Sequence, residues 1–176
     1  MFDKLIDWLV SLVNEIKPFF IIKEYEEAVR LRGGKYSKSF KKGFYLKIPF
    51  YDEIIAQHVV ITTLDLPSQS LVTKDGKNIV IKAIVKYKIY DVKIFLLEVY
   101  DAKDALSDVA QGIIKDIMIS SSWEDCINIE IDTLITRKVK NEVKKFGVLI
   151  EKVTLTNIGI IRSIRLFNEN EIIKNE

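Results

Sequence analysis

Apolar and polar positions alternate most regularly between Ser68 and Leu96. Ile79, Ile81, Ala83, Val85, Tyr87 and Ile89 share one side of an extended chain, and Val80, Lys82, Ile84, Lys86, Lys88 and Tyr90 share the other. A two-residue period rich in β-branched and aromatic side chains predicts a strand with one fully buried face. Asp75-Gly76 precedes it and predicts a two-residue hairpin turn of type I′, because Gly reaches positive φ at little cost. Asp91 is expected to stop the strand, with Val92, Phe95 and Leu96 turning away from it.

The period changes further along. Ala102, Ala105, Leu106, Val109, Ala110, Ile113, Ile114 and Ile117 recur at three and four residues, which predicts an amphipathic helix from Ala102 to Ile119, broken by Ser120-Ser121-Ser122. Ser122 with Asp125 resembles a helix-opening cap, and a second helix is expected to run to Phe146 with Ile127, Ile131, Leu134, Ile135, Val139 and Val143 inward. Gly147 is placed to end it. Val148, Ile150, Val153 and Leu155 then begin a last strand, with Ile158 to Leu166 continuing extended. Before the central hairpin, strands are predicted over Lys23 to Leu31, Phe44 to Phe50 and Ile54 to Leu66, with Gly33-Gly34 as a turn and Pro49 marking a strand end or edge.

Residues Phe2 to Lys17 read as an amphipathic helix. Phe2, Leu5, Ile6, Leu9, Leu12, Val13 and Ile16 form the apolar side, Asp3, Asp7, Asn14 and Lys17 the polar side, and Trp8 lies at the boundary. Pro18 ends the helix, and Phe19-Phe20-Ile21-Ile22 follows as an apolar exit. The stretch is short and carries acids, so it is expected to lie in a membrane interface rather than span it, or to pack on a protein. Phe2, Leu5, Trp8, Leu9, Leu12, Val13, Ile16, Phe19 and Phe20 make up the expected membrane or partner face. No run of about 20 apolar residues predicts a spanning helix, and no basic leader with a small-residue cleavage site is seen.

Composition narrows the function class. The 176 residues are 48% hydrophobic and 30% charged, enough for one domain with a real core. The net charge of +2 does not by itself imply an acidic partner. Between residues 30 and 47, however, Arg30, Arg32, Lys35, Lys38, Lys41, Lys42 and Lys47 occur with no acid. Arg30, Arg32, Lys35, Lys38, Lys41 and Lys42 are candidates for phosphate or lipid headgroup contacts, against the plainer reading of solvated lysines that keep an exposed edge from aggregating. Lysine outnumbers arginine, which disfavours specific nucleic-acid reading. A single cysteine, Cys126, excludes an internal disulfide, suits a reducing compartment and reads as a small core residue. His58 is the only histidine and, alone, makes no zinc site; it reads as a partly buried, satisfied side chain. No catalytic, phosphate-binding or metal motif is found, so no enzyme, cofactor or small-molecule substrate is predicted.

Several short stretches, taken in order, carry a family resemblance. These are Glu24-Tyr25-Glu26 with Val29 to Lys35; Gly43 to Asp52, with its Pro49-Phe50; Lys74-Asp75-Gly76 and the strand ending Tyr87, Ile89, Asp91; Ala110-Gln111; Trp123-Glu124-Asp125; and Phe146-Gly147-Val148. Together they resemble the SPFH or Band 7 family of stomatins, prohibitins and flotillins. The resemblance implies an α+β domain, a twisted and mainly antiparallel sheet with two packed helices, over residues 23–167. It would follow the N-terminal segment 1–22 and precede a polar tail 168–176. It further implies a peripheral or monotopic scaffold in a cytoplasm-like compartment, a homo-oligomer partnered by lipid or membrane proteins. The long coiled coil and the spanning anchor of relatives are expected to be missing. The alternatives are an assembly protein of a virus-type particle and a nucleic-acid module using residues 30–47.

Overall fold

The computed structural model describes residues 18–161. The predicted helix of residues 2–17 and the tail beyond residue 161 lie outside the described residues. Nine strands are described: β1 (Phe19–Ile22), β2 (Glu26–Arg32), β3 (Lys35–Phe40), β4 (Gly43–Leu46), β5 (Asp52–His58), β6 (Thr62–Asp65), β7 (Gln69–Val72), β8 (Asn78–Ile89) and β9 (Val148–Ile160). The helices are α1 (Ala102–Ser120), α2 (Trp123–Cys126) and α3 (Glu130–Val143). A π-helical turn covers Ile94–Glu98, and a 3-10 turn, Lys144–Phe146, leads from α3 into β9. The fold is α+β with antiparallel strand pairing throughout.

The twelve-residue β8 organises the larger half. β9 runs along one side of it, while β6 and β7 lie end to end along the other, separated by Pro67. Ile79, Ile81, Ala83, Val85, Tyr87 and Ile89 are all buried, as the alternation predicts, and α1 and α3 cover that face. Asp91 ends the strand by accepting from the N–H groups of Lys93 and Ile94 at 3.0 and 3.2 Å, which opens the π-helical turn that buries Phe95. The Ser122–Asp125 capping box is formed at the start of α2. Gly147 takes the left-handed conformation at φ 74° between the 3-10 turn and β9.

The smaller half is two thin sheets, β1-β4 and β3-β2-β5. They enclose a separate small core of Ile22, Ala28 and Phe40, with Phe20, Tyr45 and Ile54 packed against it. β1 is the four-residue apolar exit itself, pairing Phe19 with Leu46 and Ile21 with Phe44.

Several local expectations are corrected. The central hairpin has no type I′ turn. Gly76 donates to the Thr73 carbonyl at 2.9 Å, and only Gly76 has positive φ (76°) in the turn, so a type I turn is followed by a left-handed glycine. Ile54 to Leu66 is not one strand; β5 and β6 belong to different sheets, with the chain crossing at Val59 to Ile61. The strand expected over Phe44 to Phe50 ends at Leu46, because the chain turns at Pro49-Phe50. The second helix is interrupted between α2 and α3, and Ile127 is exposed there instead of inward. His58 is exposed rather than partly buried, 3.3 Å from Glu26 and edge-on to Tyr25.

Candidate membrane-facing surface

The two-stranded β1-β4 sheet packs one face on the small core and leaves the other exposed among the described residues. Side chains alternate across β1, so Phe20 and Ile22 turn into the small core while Phe19 and Ile21 turn out. β4 does the same, with Tyr45 inward and Phe44 and Leu46 outward. The register sets Phe19 beside Leu46 and Ile21 beside Phe44, and the Phe19 and Phe44 rings stack at 5.5 Å. Exposures of 47% for Phe19, 67% for Ile21, 63% for Phe44 and 69% for Leu46 make this one apolar patch. Lys47 donates its N–H to the Pro18 carbonyl at 2.8 Å, so the pairing reaches the point where the N-terminal segment enters.

Of the predicted face, Phe19 lies on this patch and Phe20 lies behind it, packed on Phe40 and Tyr45. Phe2, Leu5, Trp8, Leu9, Leu12, Val13 and Ile16 lie outside the described residues. Ile21, Phe44, Leu46, Ile48 and Phe50 belong to the exposed set without having been singled out. Their every-second-residue spacing was legible, but alternation alone does not say which side a thin sheet leaves uncovered.

The basic run divides. No acid lies within residues 30–47, but Asp52 comes back against it. Arg32 donates to both Asp52 oxygens, Nε at 2.7 Å and Nη2 at 2.9 Å, and the Ile48 N–H donates to the same carboxylate at 2.9 Å. The Arg32 guanidinium holds this carboxyl well below the usual range, against the opposing effect of burial, helped by the Ile48 N–H. Arg30 lies 3.8 Å from Asp52, donates to Ser37 and stacks over Phe40. Lys42 pairs with Glu24. Lys35, Lys38 and Lys41 are exposed, Lys35 and Lys38 along β3, which is an edge strand. The segment expected as a solvated loop is thus in part a strand, β3, whose exposed lysines lie along a sheet edge.

Cys126 is buried beneath α1, and burial pushes its thiol up, the opposite of an activated nucleophile. Among the described residues there is no cluster of His, Cys, Asp or Glu arranged for a metal, and no helix long and apolar enough to cross a membrane.

Residues 20–165 match the SPFH domain / Band 7 family. The chain belongs to that family. An uncharacterized protein of Methanocaldococcus jannaschii is 29% identical over 152 residues, covering 85% of this chain and 76% of the relative. A stomatin homolog of Pyrococcus horikoshii is 24% identical over 155 residues, 86% of this chain and 57% of its own length. Stomatin-1 of Caenorhabditis elegans is 24% identical over 160 residues, 86% and 48%. The chain thus spans about half to three quarters of these relatives. In SPFH terms, the β1-β4 patch sits at the start of the matched region.

Proposed function

We propose that this SPFH chain is a non-enzymatic, membrane-associated scaffold that self-assembles and organises membrane proteins or lipids. Family membership supports the coarse reading of a membrane-associated protein. The observation that carries it further is the outward face of Phe19, Ile21, Phe44 and Leu46. Covering one large apolar side chain is worth about 1.5–3 kcal/mol, so four in register favour an apolar neighbour. Pro18 joins the patch to the segment in which the sequence predicts Leu9, Leu12 and Val13 on one apolar side, and the two would lie in one interface. Lys35, Lys38, Lys41 and Lys42 would meet headgroups, while Arg30 and Arg32 serve mainly to neutralise Asp52. That diversion of both arginines weakens the nucleic-acid reading.

Sedimentation of the full chain with vesicles of phosphatidylcholine and phosphatidylglycerol tests this. The native chain is expected to pellet with lipid. Ile21→Asp with Leu46→Asp, and separately Leu9→Asp with Leu12→Asp, should each lower the bound fraction at least about tenfold with an unchanged circular dichroism spectrum. Light scattering should give a mass above the 20.4 kDa of one chain. A native chain that ignores vesicles but forms a large particle would move the reading to a protein-packing role.

A further inference from the structure

We propose that the segment from Leu46, the last residue of β4, through the β4–β5 loop to Tyr51 is a preset wedge that enters the apolar edge of an anionic bilayer with Phe50 at its tip. The inference rests on the membrane reading above and adds a second point of contact, separate from the N-terminal segment. Phe50 is 98% exposed and has φ 63°. A left-handed backbone is cheap for Gly and tolerable for Asn or Asp, but costly for a large side chain. The sequence therefore puts an apolar ring where a free loop would favour glycine, and none of the described residues covers it. Such an outlier points from strain towards use.

The rest of the loop supports the same orientation. The Asp52 N–H donates to the Ile48 carbonyl at 2.9 Å, and the Asp52 side chain accepts from the Ile48 N–H at 2.9 Å. Asp52 is in turn held by Arg32. On the far side, the Gly33 N–H donates to the Tyr51 carbonyl at 3.1 Å, and the Tyr51 ring lies against Gly33 where a Cβ would be only 3.3 Å away. The turn around Phe50 is thus clamped on either side, at Ile48 and at Tyr51, with Leu46 (69%), Ile48 (50%) and Tyr51 (55%) also exposed. Leu46 belongs to both the wedge and the β1-β4 patch, so the apolar surface is continuous. Lys47 lies within it, and Lys35 pairs with Arg32, which is itself the strand partner of Asp52; Asp52, neutralised by Arg32, and Glu53 are the acids that follow. An apolar tip with lysines beside it fits the boundary of an anionic bilayer.

The test uses the full chain carrying Phe50→Cys, labelled with an environment-sensitive nitrobenzoxadiazole dye, in a Cys126→Ala background. Vesicles of phosphatidylcholine with phosphatidylglycerol should shift the dye to shorter wavelength, and lipids brominated on the acyl chain should quench it. Bound chain with an unshifted, unquenched dye overturns the wedge and leaves the membrane reading standing, whereas a native chain that does not bind overturns both. A dye shift without vesicles, at twice the monomer mass, would make a second copy the occupant and overturn the lipid assignment. Phe50→Gly supplies a signature that a merely structural residue cannot give. Relief of the left-handed strain should raise the melting temperature, while vesicle affinity falls about tenfold. A fall in both would overturn the proposal. In Asp52→Asn the dye at Phe50→Cys should sit shallower; unchanged depth would remove the clamp from it.

Discussion

Asp75 secures the tip of the β7–β8 hairpin to the helical layer. Its carboxylate accepts from the Thr73 hydroxyl at 2.6 Å and from the Trp123 N–H at 3.1 Å, and Lys77 lies 3.2 Å away. Beside it, the Lys74 N–H donates to the Ser121 carbonyl at 3.0 Å. The Thr73 hydroxyl, then Lys77 and the Trp123 N–H, outweigh burial and hold the carboxyl down from 3.8 to about 2. A depressed carboxyl stabilises the fold fully above its ordinary value and loses that contribution as pH falls through the folded value. Urea midpoints should therefore drop between about pH 4 and pH 2, and Asp75→Asn should start lower and show a flatter fall over that window. An equally steep fall in the variant would assign the acid response to other carboxyls, Asp52 first. Gly147 is constrained in a different way: a Cβ there would come within 2.5 Å of the Asp91 carbonyl oxygen, at φ 74°. The joint between β8 and β9 therefore depends on one residue having no side chain.

At the scale of elements, β9 shows how an edge strand is closed without another strand. Its apolar residues Ile150 and Val153 are three apart, yet both are buried, because Glu151 is an extra residue in the pairing of Lys86 with Lys152 and of Tyr87 with Ile150. A second irregularity at Thr156 shifts the register again beyond Leu155. On the outer edge, α3 supplies the missing partners. The Thr136 hydroxyl accepts from the Val153 N–H at 2.9 Å, and Asp132 accepts from the Leu155 N–H at 3.2 Å. A helix that hydrogen-bonds to a strand edge prevents that edge from templating another chain. Thr136→Val keeps the shape and removes the acceptor, leaving the Val153 N–H unpaired where the residue is fully buried. It should cost about 1–3 kcal/mol in urea unfolding. A cost near zero would mean that water replaces the hydroxyl.

At the scale of the whole molecule, the described residues form two cores of unequal size. The large one joins β8 and β9 to α1 and α3, whereas the small one is Ile22, Ala28 and Phe40 with a few half-buried neighbours. Val29, next to Ala28 in β2, and Ile55, next to Ile54 in β5, face the large core, so these two paired strands connect the cores. Stability is then expected to be uneven, with the small core opening first. Phe40→Ala removes its largest buried side chain. Amide exchange in β1 and β4 should rise strongly while exchange in β8 stays near the native rate. Equal acceleration in both halves would show one cooperative unit. This arrangement also fits the proposed role, since the less stable layer carries the apolar patch and leaves the main core undisturbed when that layer is engaged.

The sequence by itself determined the elements whose signal is local. The alternation of β8, the three-and-four spacing of α1, the Ser122 cap and the left-handed Gly147 follow from backbone geometry and hydrophobic period, and the ordered motifs were enough for the family. Tertiary structure decided what depends on distant partners. Whether Phe19 or Phe20 faced out depended on Phe40 and Tyr45; the meaning of the basic run depended on Asp52, twenty residues after Arg32; and the three-residue step from Ile150 to Val153 made sense only with β8 alongside. Phe50 shows the same dependence: its spacing resembled a core strand, and only the turn at Pro49 with the Asp52 clamp placed it in the open. Local periodicity reports that a residue favours burial, but which surface covers it is settled by segments far along the chain.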